Sequence, residues 1–204
     1  MKIVLVPGSF NPVTNAHFEM AEAAVKLVSA DILVFIPAND KYLERKNCKI
    51  IPGETRGDLI LQTIKERASK APIKRCGVDF REVDGTLDGL TYHTVQAYQE
   101  AYPGAEIYVV LGMDNLEELT SWNSWEEFVM NTKFIFCSRE NSSNDIPYRM
   151  LEYVDNFNFI FIKPNSISST LVRSLAEEKK YNEMREIVSE AVAQYMENNY
   201  DKIH

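Results

Sequence analysis

Cysteine is scarce and dispersed in this chain: Cys48, Cys76 and Cys137 are three among 204 residues, with no C-x-x-C pair. An odd, scattered set supports neither a disulfide framework nor a zinc site, and it fits a reducing compartment. Histidine is equally rare, with His17, His93 and His204 the only three. No Ser or Cys has a neighbouring His to serve as its base, which removes the usual nucleophilic hydrolases. Cations are outnumbered, 22 Lys and Arg against 30 Asp and Glu, a net charge of −8. That balance argues against a general nucleic-acid binder. It also means that a polyphosphate ligand must be held by a local cluster of donors or accompanied by a divalent cation. No apolar run approaches a membrane span. There is no internal repeat, low-complexity tract or Pro/Ser-rich linker.

What remains is the composition of a globular domain, 45% hydrophobic and 25% charged. One domain over residues 1–204 is expected, with the C-terminal helical segment at about 168–200 part of it. A strand that begins at Ile3 leaves no room for a signal peptide, so a cytoplasmic location is expected. The partners expected are small phosphorylated molecules, with no nucleic acid and no membrane; a homo-oligomer is left open.

The most informative stretch is Gly8-Ser9-Phe10-Asn11-Pro12-Val13-Thr14-Asn15-Ala16-His17, directly after the apolar run Ile3 to Val6. An apolar run, then Pro and Gly, then a long apolar periodicity reads as strand, tight loop, helix. Gly8, lacking a Cβ, leaves room for a ligand to approach the backbone. Thr14 is suited to cap the helix, whose buried stripe is Phe18, Ala21, Val25 and Val28. Thr14 and His17, three apart, are expected to share the exposed face of its first turn. Unpaired N–H groups and the helix dipole there favour an anion.

Further along, Asp31 to Pro37 is a near-continuous apolar strand, followed by the cations Lys41, Arg45, Lys46, Lys49 and Arg56. A helix is expected at Thr55 to Ser69, a strand at Ile73 to Phe80, an acidic loop at Glu82 to Gly89, and a helix at Thr91 to Tyr102. Strands at Glu106 to Leu111, Thr132 to Cys137 and Asn158 to Ile162 follow, with a short helix near Tyr148 to Val154 and a last helix at Asn182 to Asn198. Strands alternating with helices indicate an open, mostly parallel α/β sheet of Rossmann type, covered on both faces. The carboxylate of Asp114, just past a strand end at Gly112, is placed to accept from a ribose hydroxyl. Arg139 follows another strand end and is a second-rank phosphate candidate. Near the C-terminus Ile167-Ser168-Ser169-Thr170-Leu171-Val172-Arg173 reads as a helix start capped by Ser168, with Arg173 on the face of Ser169.

Residues 8–17 resemble the G-x-F-x-P-x-[HT]-x-x-H signature of the nucleotidyltransferase superfamily that includes the nicotinate- and nicotinamide-mononucleotide adenylyltransferases. Residues 167–173 resemble its I-S-x-T-x-[IV]-R motif, and Gly112-Met113-Asp114 its G-[AS]-D. Thr14 stands where many members have a first His, and Ala16 where Gly is common. The resemblance spans nearly the whole chain. It implies transfer of AMP from ATP to a pyridine mononucleotide, with release of pyrophosphate, in NAD synthesis. It further implies that His17, Thr14 and Arg173 act in catalysis. Gly8, Ser9, Phe10, Gly112, Asp114, Ser168, Ser169 and Thr170, with Lys41 or Lys46, would hold ATP. Thr91, Thr94 and Trp122 would face the pyridine nucleotide, together with His93, either as a hydrogen-bonding replacement for a usual Thr or merely at the surface. Such a reaction needs donors rather than a base, because the attacking 5′-phosphate is already anionic. Mg²⁺ would be carried in with ATP, since no carboxylate cluster suggests a dedicated metal cage. Nicotinate is the expected acceptor, with some activity on nicotinamide mononucleotide. The rivals are a superfamily member acting on another phosphorylated acceptor and a non-catalytic nucleotide sensor.

Overall fold

A computed structural model describes residues 1–68, 75–122, 124–138, 146–161 and 166–203. Among them are six strands: β1 Lys2–Gly8, β2 Ile32–Pro37, β3 Cys76–Val78, β4 Glu106–Gly112, β5 Lys133–Ser138 and β6 Phe157–Phe161. Their order is β3-β2-β1-β4-β5-β6, and every neighbouring pair is parallel. The expected α/β class therefore holds, with a wholly parallel sheet in these residues.

Side-chain alternation along β1 shows why both faces are covered. Val4 and Val6 enter one core and Ile3 and Leu5 the other, all at most 1% exposed. The first core contains α1 Asn15–Val28, α3 Gly53–Arg67, and the C-terminal helices α7 Ser169–Glu177, α8 Tyr181–Arg185 and α9 Glu190–Asn199. The second is closed by α4 Thr91–Ala101, α5 Asp114–Glu118 and α6 Trp125–Asn131. Burial on two sides explains the near-continuous apolar strands. No helix among the described residues is long and apolar enough to cross a membrane.

Strand order reverses between β1 and β4, the position where open α/β sheets offer a crevice beyond the strand ends. Here the crevice is built into the register. β1 pairs with β4 only over Lys2–Leu5, whereas its pairing with β2 continues to Gly8.

Several elements differ from expectation. The basic segment after β2 contains a short helix, α2 Asp40–Glu44, because Asn39 accepts the Tyr42 N–H at 2.8 Å and caps it. The described part of the third strand ends at Val78, not Phe80, since the Asp79 carboxylate accepts the Arg81 N–H and turns the chain. The last helix is two, α8 and α9. Ser189 caps the second, and the Glu66 carboxylate accepts from Glu190 and Ala191 N–H, so the chain restarts there. The short helix expected near Tyr148 to Val154 is present as a 3₁₀ helix over Tyr148–Asn156. Arg139 lies outside the described residues.

Candidate active site

The loop leaving β1 is held by its own side chains. Phe10 has φ 45°, is 1% exposed, and turns its ring back over Gly8. A Cβ on Gly8 would stand 2.8 Å from that ring. The glycine is therefore required by Phe10, which corrects the expectation that it clears space for a ligand. The ring also meets His17 edge-on at 5.2 Å and Phe35 at 5.7 Å. Gly8→Ala must displace a packed aromatic, so a loss of about 1–3 kcal/mol of stability is expected in thermal or urea unfolding. An unchanged midpoint would show that the ring yields freely.

Thr14 caps α1 as the sequence suggests, through a reciprocal arrangement with His17. The Thr14 backbone N–H donates to His17 Nδ1 at 3.0 Å, and the Thr14 hydroxyl lies 2.8 Å from the same nitrogen. An acceptor Nδ1 puts the proton of the neutral ring on Nε2, which makes Nε2 the donor. Thr14 is only 2% exposed. It does not share the helix's exposed face as expected, because its hydroxyl is engaged in orienting the imidazole.

The two end motifs meet at this loop. Arg173 Nη1 donates to the Asn11 carbonyl at 2.7 Å, and the Ser169 hydroxyl donates to the Pro12 carbonyl at 2.7 Å. Arg173 Nη2 also reaches the Thr170 hydroxyl at 3.2 Å, while Ser168 caps α7 by accepting the Leu171 N–H. Asn11 is itself buried, accepting from Ile51 N–H and donating to the Lys49 carbonyl.

Of the two lysine candidates, Lys46 reaches the loop: its Nζ donates to the Ser9 hydroxyl at 3.0 Å across the Tyr42 ring. Lys41 is exposed on α2. Lys49 instead binds the Tyr200 carbonyl and ring. Arg56, the last of the cations that follow β2, is 0% exposed. It donates to the carbonyls of Ile51, Ser9 and Ala38 and to the Asp40 carboxylate. Burial draws its pKa down and Asp40 opposes the shift; a guanidinium nonetheless stays charged. The periodicity of α3 is the one available signal, since Arg56 lies three residues before Leu59 and four before Ile60 on the buried face.

Across the crevice, β4 ends at Gly112. A Cβ there would meet Asp114 Oδ1 at 2.2 Å, so the glycine lets the exposed carboxylate fold back over the strand end. Asn115 donates to that same oxygen at 3.3 Å.

The first turn of α4 is used differently from what was expected. Thr94 is 0% exposed and donates to the buried Glu82 at 2.7 Å, so its hydroxyl faces the core. Burial, the main cause, raises the Glu82 pKa. His93 is exposed with Nδ1 2.7 Å from Asp88 Oδ2; Thr91 is half-buried. Tyr92 meets the Phe128 ring at 5.6 Å, and Trp122 stacks on Phe128 at 6.2 Å with 16° between planes. Tyr92, Phe128 and Trp122 thus form a continuous aromatic wall. A groove of about 670 Å³ lies at the β2–β3 edge beside Asp79, Arg81 and Tyr98, and none of the motif residues lines it. No group of three His, Cys, Asp or Glu that could hold a metal occurs among the described residues.

A family model described as cytidylyltransferase-like matches residues 5–175. A probable nicotinate-nucleotide adenylyltransferase of Maridesulfovibrio salexigens is 29% identical over 100% of this chain and 98% of its own. One of Clostridium acetobutylicum is 27% identical over 97% of each. Among solved structures, Plasmodium falciparum nicotinic acid mononucleotide adenylyltransferase complexed with APC superposes with a TM-score of 0.78 at 22% identity. It covers 98% of this chain and 97% of that one. The same enzyme complexed with NaAD gives a TM-score of 0.74 at 20% identity, with the same coverage.

Proposed function

We propose that this chain, which belongs to the cytidylyltransferase-like family, transfers AMP from ATP to nicotinate mononucleotide and releases pyrophosphate. The observation that carries the reading is the convergence of donors on one loop. Lys46 is on Ser9, Arg173 on the Asn11 carbonyl, and His17 is oriented by Thr14, all at the N-terminus of α1. Such a site offers hydrogen bonds and positive charge to phosphates, and no nucleophile of its own.

In the reaction an oxygen of the mononucleotide 5′-phosphate forms a bond to the α-phosphorus of ATP, and the bond from that phosphorus to the α–β bridging oxygen breaks. The protein's work is alignment and stabilisation of the charge that moves onto pyrophosphate. His17 Nε2–H and Arg173 are assigned that charge, and Lys46 the outer phosphates. Asp114 is assigned a ribose hydroxyl. Mg²⁺ belongs to the incoming nucleotide, where it offsets charge on the triphosphate.

Trp122 is assigned to stack on the pyridinium ring, an electron-poor partner suited to an indole. Both candidate acceptors carry that ring, so selection must come from the groups facing the carboxylate or amide. A carboxylate needs only donors, whereas an amide needs a donor and an acceptor. The names of the curated relatives support nicotinate. The pairing of His93 with Asp88 keeps nicotinamide as the second reading, since this imidazole stands where the resembled family has a Thr. The test is to compare kcat/KM for the two mononucleotides. A higher value for nicotinate is expected, with measurable turnover of nicotinamide mononucleotide; a strong preference for the amide would reverse the assignment.

A further inference from the structure

We propose that Arg56 is a positioning residue that aims two backbone amides of the phosphate site, an inference that rests on the phosphate-binding reading of the β1 loop. Its planar guanidinium joins segments that are remote in sequence. Nε donates to the Ile51 carbonyl at 2.9 Å, Nη1 to the Ser9 carbonyl at 2.6 Å, and Nη2 to the Ala38 carbonyl and Asp40 Oδ1, each at 2.6 Å.

Two of these carbonyls lie just beyond the C-terminal ends of adjacent strands, Ser9 after β1 and Ala38 after β2. In a planar trans peptide the carbonyl and the following N–H point in opposite directions. Drawing the Ser9 carbonyl onto Arg56 therefore turns the Phe10 N–H away from it, and drawing in Ala38 does the same for the Asn39 N–H. Neither amide donates a hydrogen bond among the described residues. Phe10 is itself only 1% exposed, and unpartnered main-chain donors in buried residues are uncommon in folded proteins. A full positive charge on the carbonyl side also polarises each peptide and strengthens its N–H as a donor to an anion. The ligand class is a polyphosphate, and Lys46, seated on Ser9, supplies the neighbouring charge. Lysine could not replace Arg56, because an ammonium lacks the rigid fork that serves three carbonyls and a carboxylate at once.

The test uses Mg²⁺–tripolyphosphate as the probe, measured by calorimetry on the whole chain. Arg56→Lys, with its fold checked by circular dichroism, is expected to bind tripolyphosphate about tenfold more weakly or worse, while nicotinate mononucleotide affinity stays within about twofold. A folded variant with wild-type tripolyphosphate affinity overturns the proposal, as does equal loss of both ligands. If Arg56→Lys does not fold, the wild-type protein decides by NMR. The Phe10 and Asn39 amide signals are expected to move on addition of tripolyphosphate, and unmoved signals overturn it. Wild-type binding of the probe without turnover of any pyridine mononucleotide would sink the assigned reaction and leave the Arg56 inference to stand on binding alone.

Discussion

His17→Ala is expected to lower kcat about a hundredfold or more, the usual scale for removing one hydrogen-bond donor aimed at developing charge. The helix cap itself holds His17 in place for this. Nδ1 receives the Thr14 N–H, so the neutral ring presents its proton on Nε2. The variant also loses one half of the α1 cap, which should cost about 0.5–2 kcal/mol of stability. The fold should survive, because the core stripe of Phe18, Ala21 and Val25 is untouched. Steady-state kinetics with an unfolding curve separates the two effects. A folded variant with near wild-type turnover would remove His17 from the chemistry and leave it a capping residue.

Arg173→Ala is expected to weaken ATP binding by about ten- to a hundredfold, the range for a lost hydrogen bond to a charged group of about 1.5–3 kcal/mol. Nicotinate mononucleotide should be affected much less. Arg173 touches the Asn11 carbonyl and Thr170, at the phosphate end of the site, while the aromatic wall belongs to residues 92–128. Calorimetry with each ligand alone reads the difference. Unchanged ATP affinity would reduce the C-terminal motif to a helix cap and a tie between the chain's ends.

The parts of the fold that follow from short-range pattern were legible in the sequence. β1, the α1 cap at Thr14, β4 and the Ser168 cap come from local periodicity and from residues whose preferences act over three or four positions. The meeting of residues 8–17 with 167–173 was implied by their resemblance to two motifs of one superfamily. The bonds that join them, Arg173 to Asn11 and Ser169 to Pro12, span 162 and 157 residues, and no local rule reaches so far.

The misreadings share one cause, which is tertiary contact overriding residue type. Arg56 reads as one more cation after β2 and is a buried clamp, because unpaired carbonyls at three separate loops could be satisfied by one planar fork. Thr94 reads as a ligand contact and is turned inward by Glu82, a carboxylate twelve residues earlier in the acidic loop. Gly8 reads as room for a ligand and is instead room for Phe10. In each case the partner that decides the residue's role is invisible without the fold.

The donors gathered on the β1 loop are assigned to adenylyl transfer onto a pyridine mononucleotide, and one assay tests that assignment most directly. The protein is incubated with Mg²⁺–ATP and nicotinate mononucleotide, pyrophosphate is followed, and the product is identified by mass. Dinucleotide and pyrophosphate are expected to form in equal amounts, with neither appearing when the mononucleotide is omitted. Absence of dinucleotide, or release of pyrophosphate that does not depend on the mononucleotide, would contradict the account.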